Sequence, residues 1–406
     1  MLLLILLLII IIMKKNYFYL FIISFLFITC KKQVFLYQPI IDETCKKVII
    51  DNIDDSLYLK CINEIKLIPL EQFDKSYYFL NPELLMINDS SIVLIDCDNG
   101  MIAGFINNKK TFGRRFIGRG PNEFIDYGNS FLFNDMFGVY DNSLQKCLYY
   151  NIEGQLIRTI KITEGYCNEF YPITTSLGLG LDNSEDDYYS YIFDQSRGEI
   201  KNKDIFLGPI HSKLLTRRQH VSKNGRDVSF YIPFSYVIYG IDSLSCKINQ
   251  KFYLDFPNKL DLSAVREYLY SPYLYSYVLS SGCSGDLSHF LETDRYYSFG
   301  TMVKQSYYKV LLDKNTAKCY LYDISHGIKK TDPFINQLLS VLNPIGSYHN
   351  QLFMCCDYQS YKELEKNCKE EERKHMEQLM NDIRNYQEYY TITDDSKLYF
   401  SIELTD

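Results

Sequence analysis

The sequence lacks the short motifs that mark the commonest catalytic and metal-binding sites. No G-x-S-x-G nucleophile elbow, Walker phosphate loop or Gly-rich Rossmann fingerprint occurs in its 406 residues, so local evidence for those enzyme classes is missing. Its six histidines form no H-E-x-x-H pair, and its twelve cysteines form no C-x-x-C pair. We therefore predict no catalytic, cofactor-binding or metal-binding residue. A catalytic centre assembled from several distant segments would leave no such motif.

An excess of positive charge is also missing. Lys and Arg number 43 against 50 Asp and Glu, giving a formal net charge of -7, which argues against electrostatic binding of nucleic acid. Trp is absent, yet 37 Tyr and 26 Phe bring the aromatic fraction to 16%, and aromatic side chains favour β-strands. Charged residues make up 23% and hydrophobic residues 47%. This composition predicts a folded, β-rich chain with a sizeable core.

The first 28 residues are almost wholly apolar and are interrupted only by Lys14, Lys15 and Asn16. A basic start followed by the apolar residues 17–28 has the form of a secretory signal. Those twelve residues are too few to cross a bilayer comfortably, which takes roughly 20. We predict a signal peptide over residues 1–29, with Met13 as an alternative start. A transmembrane anchor that includes residues 1–12 is the other interpretation.

The apolar run ends in F-I-T-C, with the cysteine at position 30. This segment resembles the lipobox of bacterial lipoproteins, in which the cysteine is acylated after cleavage. Acyl chains partition into membranes with about 0.8 kcal/mol per buried CH₂, so an acylated Cys30 would anchor the protein stably. We predict lipid attachment at Cys30, a tether over residues 30–63, and a place in the cell envelope on the periplasmic or outer-membrane face. A free cysteine after an ordinary signal peptide is the alternative.

The other eleven cysteines are an odd number, so at least one cannot pair within the chain. Five of them lie in or beside apolar runs that have the character of strands. We predict that these five act as small buried hydrophobic residues: Cys97, Cys147, Cys246, Cys319 and Cys355.

Two sequence elements recur from residue 64 onward. Apolar runs, most of them closing on Asp, end near residues 96, 141, 182, 242, 300 and 357. Polar turns follow one strand later, at residues 107–109, 151–154, 194–198 and 313–316, and their Gly, Asn and Asp suit tight hairpins. Alternation of strands with helices is absent, which disfavours a doubly wound parallel sheet. Residues 64–406 are therefore predicted to form a six-bladed β-propeller of four-stranded antiparallel blades. An array of β-sandwiches is the second interpretation.

One segment departs from the β pattern. Residues 360–390 are densely charged, and their apolar residues recur at the spacing of an amphipathic helix. Strand-like runs lie on both sides. We predict a helical insertion in the last blade that packs on the ring, with a partner-binding helix as the alternative.

Two motifs resemble a known family. I-K-L-I-P-L-E at residues 65–71 and G-R-G-P-N-E-F at residues 118–124 are similar to the six-bladed β-propeller lipoproteins of Bacteroidetes, which look like relatives of NHL-type propellers. The resemblance implies the fold and the lipid anchor, but it carries no catalytic residue. Within the second motif, Gly and Pro favour a sharp turn. We expect Arg119 and Glu123 either beside the central channel or in a connection between blades.

These observations favour binding over catalysis. The leading hypothesis is a membrane-tethered binding module for a glycan, a peptide or an envelope protein, with Tyr, Phe and scattered polar groups at the channel mouth. A second hypothesis is an envelope hydrolase or lyase, in which carboxylates, His or Arg from at least three blades would converge. A third is a structural subunit that docks through residues 361–390, and an exposed apolar stripe there would favour it.

Overall fold

The computed structural model describes residues 39–50, 55–71, 79–181, 188–206, 220–224, 227–242, 245, 247–261, 276–277, 280–284, 287–303, 306–325, 333–390 and 392–405. The predicted signal peptide, the alternative start at Met13 and the predicted lipid attachment site at Cys30 lie outside these ranges. Within the described ranges, every helix is too short or too polar to cross a membrane.

Strands dominate the chain. In order they are β1 (Lys46–Ile49), β2 (Ile62–Ile68), β3 (Pro82–Asn88), β4 (Ser91–Asp96), β5 (Met101–Ile106), β6 (Lys109–Arg115), β7 (Tyr127–Phe133), β8 (Met136–Asp141), β9 (Lys146–Tyr150), β10 (Leu156–Lys161), β11 (Glu169–Pro172), β12 (Leu177–Leu181), β13 (Tyr188–Asp194), β14 (Glu199–Phe206), β15 (Val221–Asn224), β16 (Asp227–Tyr231), β17 (Val237–Ile241), β18 (Ile248–Asp255), β19 (Leu287–Glu292), β20 (Tyr296–Val303), β21 (Ser306–Asp313), β22 (Cys319–Asp323), β23 (Asn343–Tyr348), β24 (Gln351–Asp357) and β25 (Lys397–Leu404). The helices are α1 (Asp55–Lys60), α2 (Phe334–Val341), α3 (Tyr358–Asn367), α4 (Glu370–His375) and α5 (Glu377–Tyr389).

The strands form six sheets, which are the blades of a six-bladed β-propeller. Blade I contains β3–β6, blade II β7–β10, blade III β11–β14, blade IV β15–β18 and blade V β19–β22. Blade VI combines β23, β24 and β25 with the early strand β2, which pairs antiparallel with β25. One blade therefore contains both ends of the propeller sequence, and the predicted fold is confirmed.

Apolar residues on both faces of the blades make the core continuous around the ring. All six residues of β4, for example, are buried. One buried cluster joins blades II, III and IV, and others join IV to V, V to VI, VI to I and I to II. Each blade therefore shields the faces of its neighbours from water, and burial of this kind is the main stabilising contribution in folding.

The predicted hairpin turns connect the third and fourth strands of blades I, II, III and V. In the first of them, Asn107 and Asn108 have positive φ values of 49° and 64°, a conformation that Asn tolerates better than most residues. The recurring apolar run is the second strand of five blades, but in blade IV it is the third strand, β17. Strand β17 is buried at all five positions. The recurring apolar run therefore marks a strongly buried strand of each blade, which is not always the second strand.

The segment predicted as a tether differs from the structure. Strand β1 adds to blade IV as a fifth strand, parallel to β18. Helix α1 buries Tyr58, whose ring centroid lies 5.4 Å from that of Tyr322 in blade V. Strand β2 begins at Ile62, within the predicted tether. Single buried residues such as Val48 and Tyr58 leave no periodic pattern, because only one side chain in each short element faces the propeller.

The predicted helical insertion lies between β24 and β25 of blade VI, as expected. It is divided into the three helices α3, α4 and α5, and Cys368 leaves the helical conformation between the first two. The apolar residues of α3 and α5 are buried in the same cluster as those of blade VI. The exposed apolar stripe that would favour the docking hypothesis is therefore absent from the described part of α3 and α5, apart from Tyr389, which is 80% exposed.

The cysteine prediction is confirmed in part. Cys147 and Cys355 are buried, whereas Cys97 and Cys319 are only half-buried. Cys246 lies outside the described residues.

Candidate functional site

The inner strands of all six blades enclose a cavity of about 530 Å³, which we call the channel. Its volume lies in the range of small-ligand sites, about 300–1,000 Å³. Each blade contributes to its wall. Representative lining residues, one from each blade in order, are Glu83, Tyr127, Glu169, Lys223, Leu291 and Ser347.

Glu83 of β3 is held by hydroxyl groups of the neighbouring blade. Tyr127 donates a hydrogen bond from its hydroxyl to Glu83 Oε2 at 2.8 Å, and the Ser130 hydroxyl donates to the same oxygen at 2.5 Å. Burial raises the pKa of Glu83, while the two hydroxyl donors act in the opposite direction. A carboxyl group from blade I is therefore fixed against two donors from blade II.

A second carboxyl group is supplied by blade III. Glu169 and Tyr171 are two residues apart on β11 and share its channel face, and the Tyr171 hydroxyl donates to Glu169 Oε2 at 2.9 Å. Burial raises the pKa of Glu169 to about 7; the hydrogen bond from Tyr171 opposes this rise, and the charge of Glu83 adds to it. The two carboxyl groups thus influence each other electrostatically across the channel.

Blade IV contributes a lysine. The Lys223 ammonium donates to the backbone carbonyls of Leu132 at 3.0 Å and Pro172 at 3.3 Å, and its Nζ lies 5.3 Å from the centroid of the Phe133 ring. Burial lowers the pKa of Lys223 to about 8. This lysine ties blade IV to blades II and III. His220, which is 2% exposed, precedes it in the channel wall.

Acidic groups outnumber basic ones around the channel. Besides the two glutamates, Asp98 and Asp126 line it, whereas Lys223 is the lining lysine. Within the part of the chain that the structure describes, neither Glu83 nor Glu169 forms an ion pair. The channel therefore presents an excess of acidic groups, including two glutamates without an ion pair to any described residue, beside tyrosine rings.

The residues predicted from the G-R-G-P-N-E-F motif lie in the connection from blade I to blade II. The Glu123 carboxylate accepts a hydrogen bond from the Gly120 amide at 2.7 Å. A Cβ on Gly118 would come within 2.0 Å of Glu123 Oε2, so a larger residue there would displace the Glu123 carboxylate. Arg119 is exposed, and neither Arg119 nor Glu123 belongs to the channel lining. The motif forms a turn in a connection between blades, which was one of the two predicted locations; the other was a position beside the central channel.

The channel residues themselves were not found from the sequence. A usable signal was nevertheless present, because Glu83 is a single acid in the otherwise apolar run P-E-L-L-M-I-N. Glu169 similarly opens the strand E-F-Y-P. A charged residue inside a strand whose other residues are mostly buried indicates a wet cavity or a functional group nearby.

One group of three side chains of metal-ligand type occurs among the described residues, formed by Asp96, Cys97 and Asp98. Asp96 already accepts hydrogen bonds from the backbone amides of Leu80 and Asp98. The Asp96 carboxylate thereby holds the turn that follows β4, and the group is explained by the turn.

A family model described as DUF5128, a 6-bladed beta-propeller, matches residues 41–334. Among solved structures, the chain is similar to a protein of Bacteroides fragilis NCTC 9343 that is taken to be exported, with a TM-score of 0.65, 19% identity, and coverage of 89% of this chain and 99% of the other. A member of the DUF4221 family from Bacteroides vulgatus ATCC 8482 has a TM-score of 0.48 and 10% identity. The match covers 85% of this chain and 98% of the other chain. A search of curated proteins finds no match.

Proposed function

Because the chain belongs to the DUF5128 family of six-bladed β-propellers, we propose that it is a ligand-binding protein of the cell envelope and that its site is the channel. The observation that carries this proposal is the meeting of Glu83, Tyr127, Ser130 and Glu169, from three blades, in one cavity of about 530 Å³. Buried polar groups at the wall of a preformed cavity are the usual means of orienting a small ligand.

The envelope location is supported by two observations. The F-I-T-C segment that ends at Cys30 has the features of a lipid attachment site, and the Bacteroides fragilis relative is taken to be exported. In this proposal residues 1–29 are a cleaved signal peptide, and acyl chains on Cys30 hold the propeller at a membrane. The protein would then be one of the Bacteroidetes propeller lipoproteins with an NHL-like ring.

A small ligand is favoured over docking of a large partner through the helices. The apolar residues of α3 and α5 are already packed on blade VI. A glycan or peptide could enter the channel only by a short segment, given its volume. The tyrosine rings of the wall offer flat surfaces for such a segment, and their hydroxyls offer polar contacts.

A hydrolase or lyase is the second candidate, and the perturbed pKa of Glu169 favours it. A carboxyl group with a pKa of about 7 is suited to exchange protons near neutral pH, and Glu83 lies near enough to affect it. Four blades contribute titratable groups to the channel lining, and the hypothesis requires that carboxylates, His or Arg from at least three of them converge on a bound substrate. Conversion of a bound ligand into products would favour catalysis over simple binding.

The channel can be tested as the ligand site with a pair of matched substitutions. Ser130→Trp should fill the channel, whereas Ser176→Trp adds the same side chain at an exposed turn. Saturation-transfer NMR with a library of sugars, amines and short peptides should show ligands that bind wild type and Ser176→Trp but not Ser130→Trp. Thermal melting verifies that both variants fold. Glu83→Gln is a second channel variant, which alters the channel wall less than Ser130→Trp does. Ligands that bind a folded Ser130→Trp protein as well as wild type would exclude the channel.

A further inference from the structure

We propose that the ligand of the channel is an organic cation, whose ammonium group is held between Glu83 and Glu169. This inference rests on the proposed function, because it names the class of ligand that the channel takes. Three features of the described residues support it: the free oxygens of the two carboxyl groups, the excess of acidic over basic side chains in the lining, and the aromatic wall.

Each of the two carboxyl groups accepts hydrogen bonds from the described residues on only one of its oxygens. Glu83 Oε2 accepts the hydrogen bonds from Tyr127 and Ser130, and Glu169 Oε2 accepts the one from Tyr171. The Oε1 atoms of both residues accept none from any described residue. A carboxylate can accept about four hydrogen bonds, so both groups retain capacity for a donor on a ligand. An ammonium group supplies three such donors.

Acidic side chains of the channel lining outnumber the basic ones, with Glu83, Asp98, Asp126 and Glu169 against Lys223 and His220. The Lys223 ammonium donates to the carbonyls of Leu132 and Pro172 and forms no ion pair with either glutamate in the part of the chain that the structure describes. Two carboxylates that face one low-dielectric space repel each other. A ligand cation placed between Glu83 and Glu169 would replace this repulsion by attraction, whereas a neutral sugar would leave the repulsion unchanged.

The wall chemistry distinguishes an organic cation from a metal ion. Tyr127, Tyr171 and Phe131 line the channel beside the two glutamates, and aromatic faces attract ammonium groups. A calcium ion requires six to eight oxygen ligands, and the two carboxyl oxygens that accept no hydrogen bond from a described residue, Glu83 Oε1 and Glu169 Oε1, supply fewer. The cavity of about 530 Å³ also leaves room for the carbon chain that an organic ligand carries.

Two probes of similar size that differ in charge, n-butylamine and n-butanol, test whether the channel binds a cation. Isothermal titration of the purified full chain at pH 8, where Glu169 is ionised and the amine is protonated, should give binding of butylamine and none of butanol. Glu83→Gln and Glu169→Gln should each weaken butylamine by about tenfold or more, since each removes one of two attracting charges. The control Glu153→Gln changes an exposed turn residue and should bind like wild type.

The outcomes separate this inference from the proposed function. If butanol binds as tightly as butylamine, if butylamine does not bind, or if folded Glu83→Gln and Glu169→Gln both bind it unchanged, the ligand is not a cation. Binding of a neutral sugar that Ser130→Trp abolishes would overturn the cation and retain the channel as a ligand site. Failure of every sugar, amine and peptide to bind would overturn both. Thermal melting of each variant excludes misfolding as the cause of a loss.

Discussion

At the scale of single residues, the channel shows how burial and hydrogen bonding oppose each other. Burial favours the neutral form of Glu169, because a charged carboxylate loses its hydration. The hydroxyl of Tyr171 favours the ionised form, but it supplies only one hydrogen bond. Burial prevails, and the pKa of Glu169 rises to about 7.

This balance predicts a pH-dependent contribution to stability. The pKa of Glu169 is higher in the folded chain than the value of about 4.3 in an unfolded one, so between these values the folded state binds the proton more strongly. Stability contributed by this group is therefore present at low pH and is lost as the pH rises through about 7, by at most about 1.4 kcal/mol per pH unit. We expect Glu169→Gln to remove that loss.

The measurement is urea unfolding of both proteins at intervals from pH 4.5 to 8. The free energy of unfolding of Glu169→Gln, relative to wild type, should rise over this interval. Glu83 and Tyr171 also interact electrostatically with Glu169, so Glu153→Gln serves as the control for a change of charge elsewhere. A constant difference between Glu169→Gln and wild type at every pH would show that Glu169 titrates normally.

At the scale of elements, the seven-residue strand β2 closes the ring of blades. It is the outer strand of blade VI, and its register joins Leu67 to Phe400 and Ile65 to Ile402 of β25. The other three strands of that blade come from the far end of the chain. Pairing of β2 with β25 therefore closes the ring by hydrogen bonds between segments remote in sequence.

We expect two N-terminal truncations that differ only in β2 to behave differently. A chain that begins at residue 61 retains β2, whereas one that begins at residue 70 loses it; both lack β1 and α1. The shorter chain should have a clearly lower midpoint of urea unfolding and faster proteolysis, because β25 would become an exposed edge with unpaired backbone groups. Equal midpoints would mean that β2 contributes nothing to closure.

At the scale of the whole molecule, the six apolar interfaces make the ring a single cooperative body. Clusters of buried residues join every blade to the next, so the blades support one another and the strands that line the channel. A rigid wall of this kind suits a preformed ligand site, since less conformational entropy is lost on binding.

The proposed location of the protein at a membrane also concerns the whole molecule. If Cys30 is acylated, cells grown with radiolabelled palmitate should label the wild-type protein, and Cys30→Ala should carry no label and should leave the membrane fraction. Substitution of another cysteine, Cys45→Ala, is the matched control and should be labelled like wild type. Labelling of Cys30→Ala at the wild-type level would remove the lipid anchor from the proposal.

The amino-acid sequence by itself determined the number of blades, the hairpin turns and the helical insertion. These features depend on local rules: side chains alternate along a strand, Asn and Gly permit tight turns such as the one at Asn107 and Asn108, and a helix has its own periodicity. The family motif at residues 118–124 is likewise local, because Glu123 binds the amide of Gly120 within the same turn.

Only the tertiary structure decided which residues line the channel and where β1 and α1 of the N-terminal segment pack. Glu83, Tyr127, Glu169 and Lys223 begin or lie in the inner strands of different blades, and no spacing along the chain predicts which of them meet. Their contacts and shifted pKa values arise only when the ring closes. Likewise β1 and α1 are too short to carry a pattern, and they gain their positions from partners in blades IV and V.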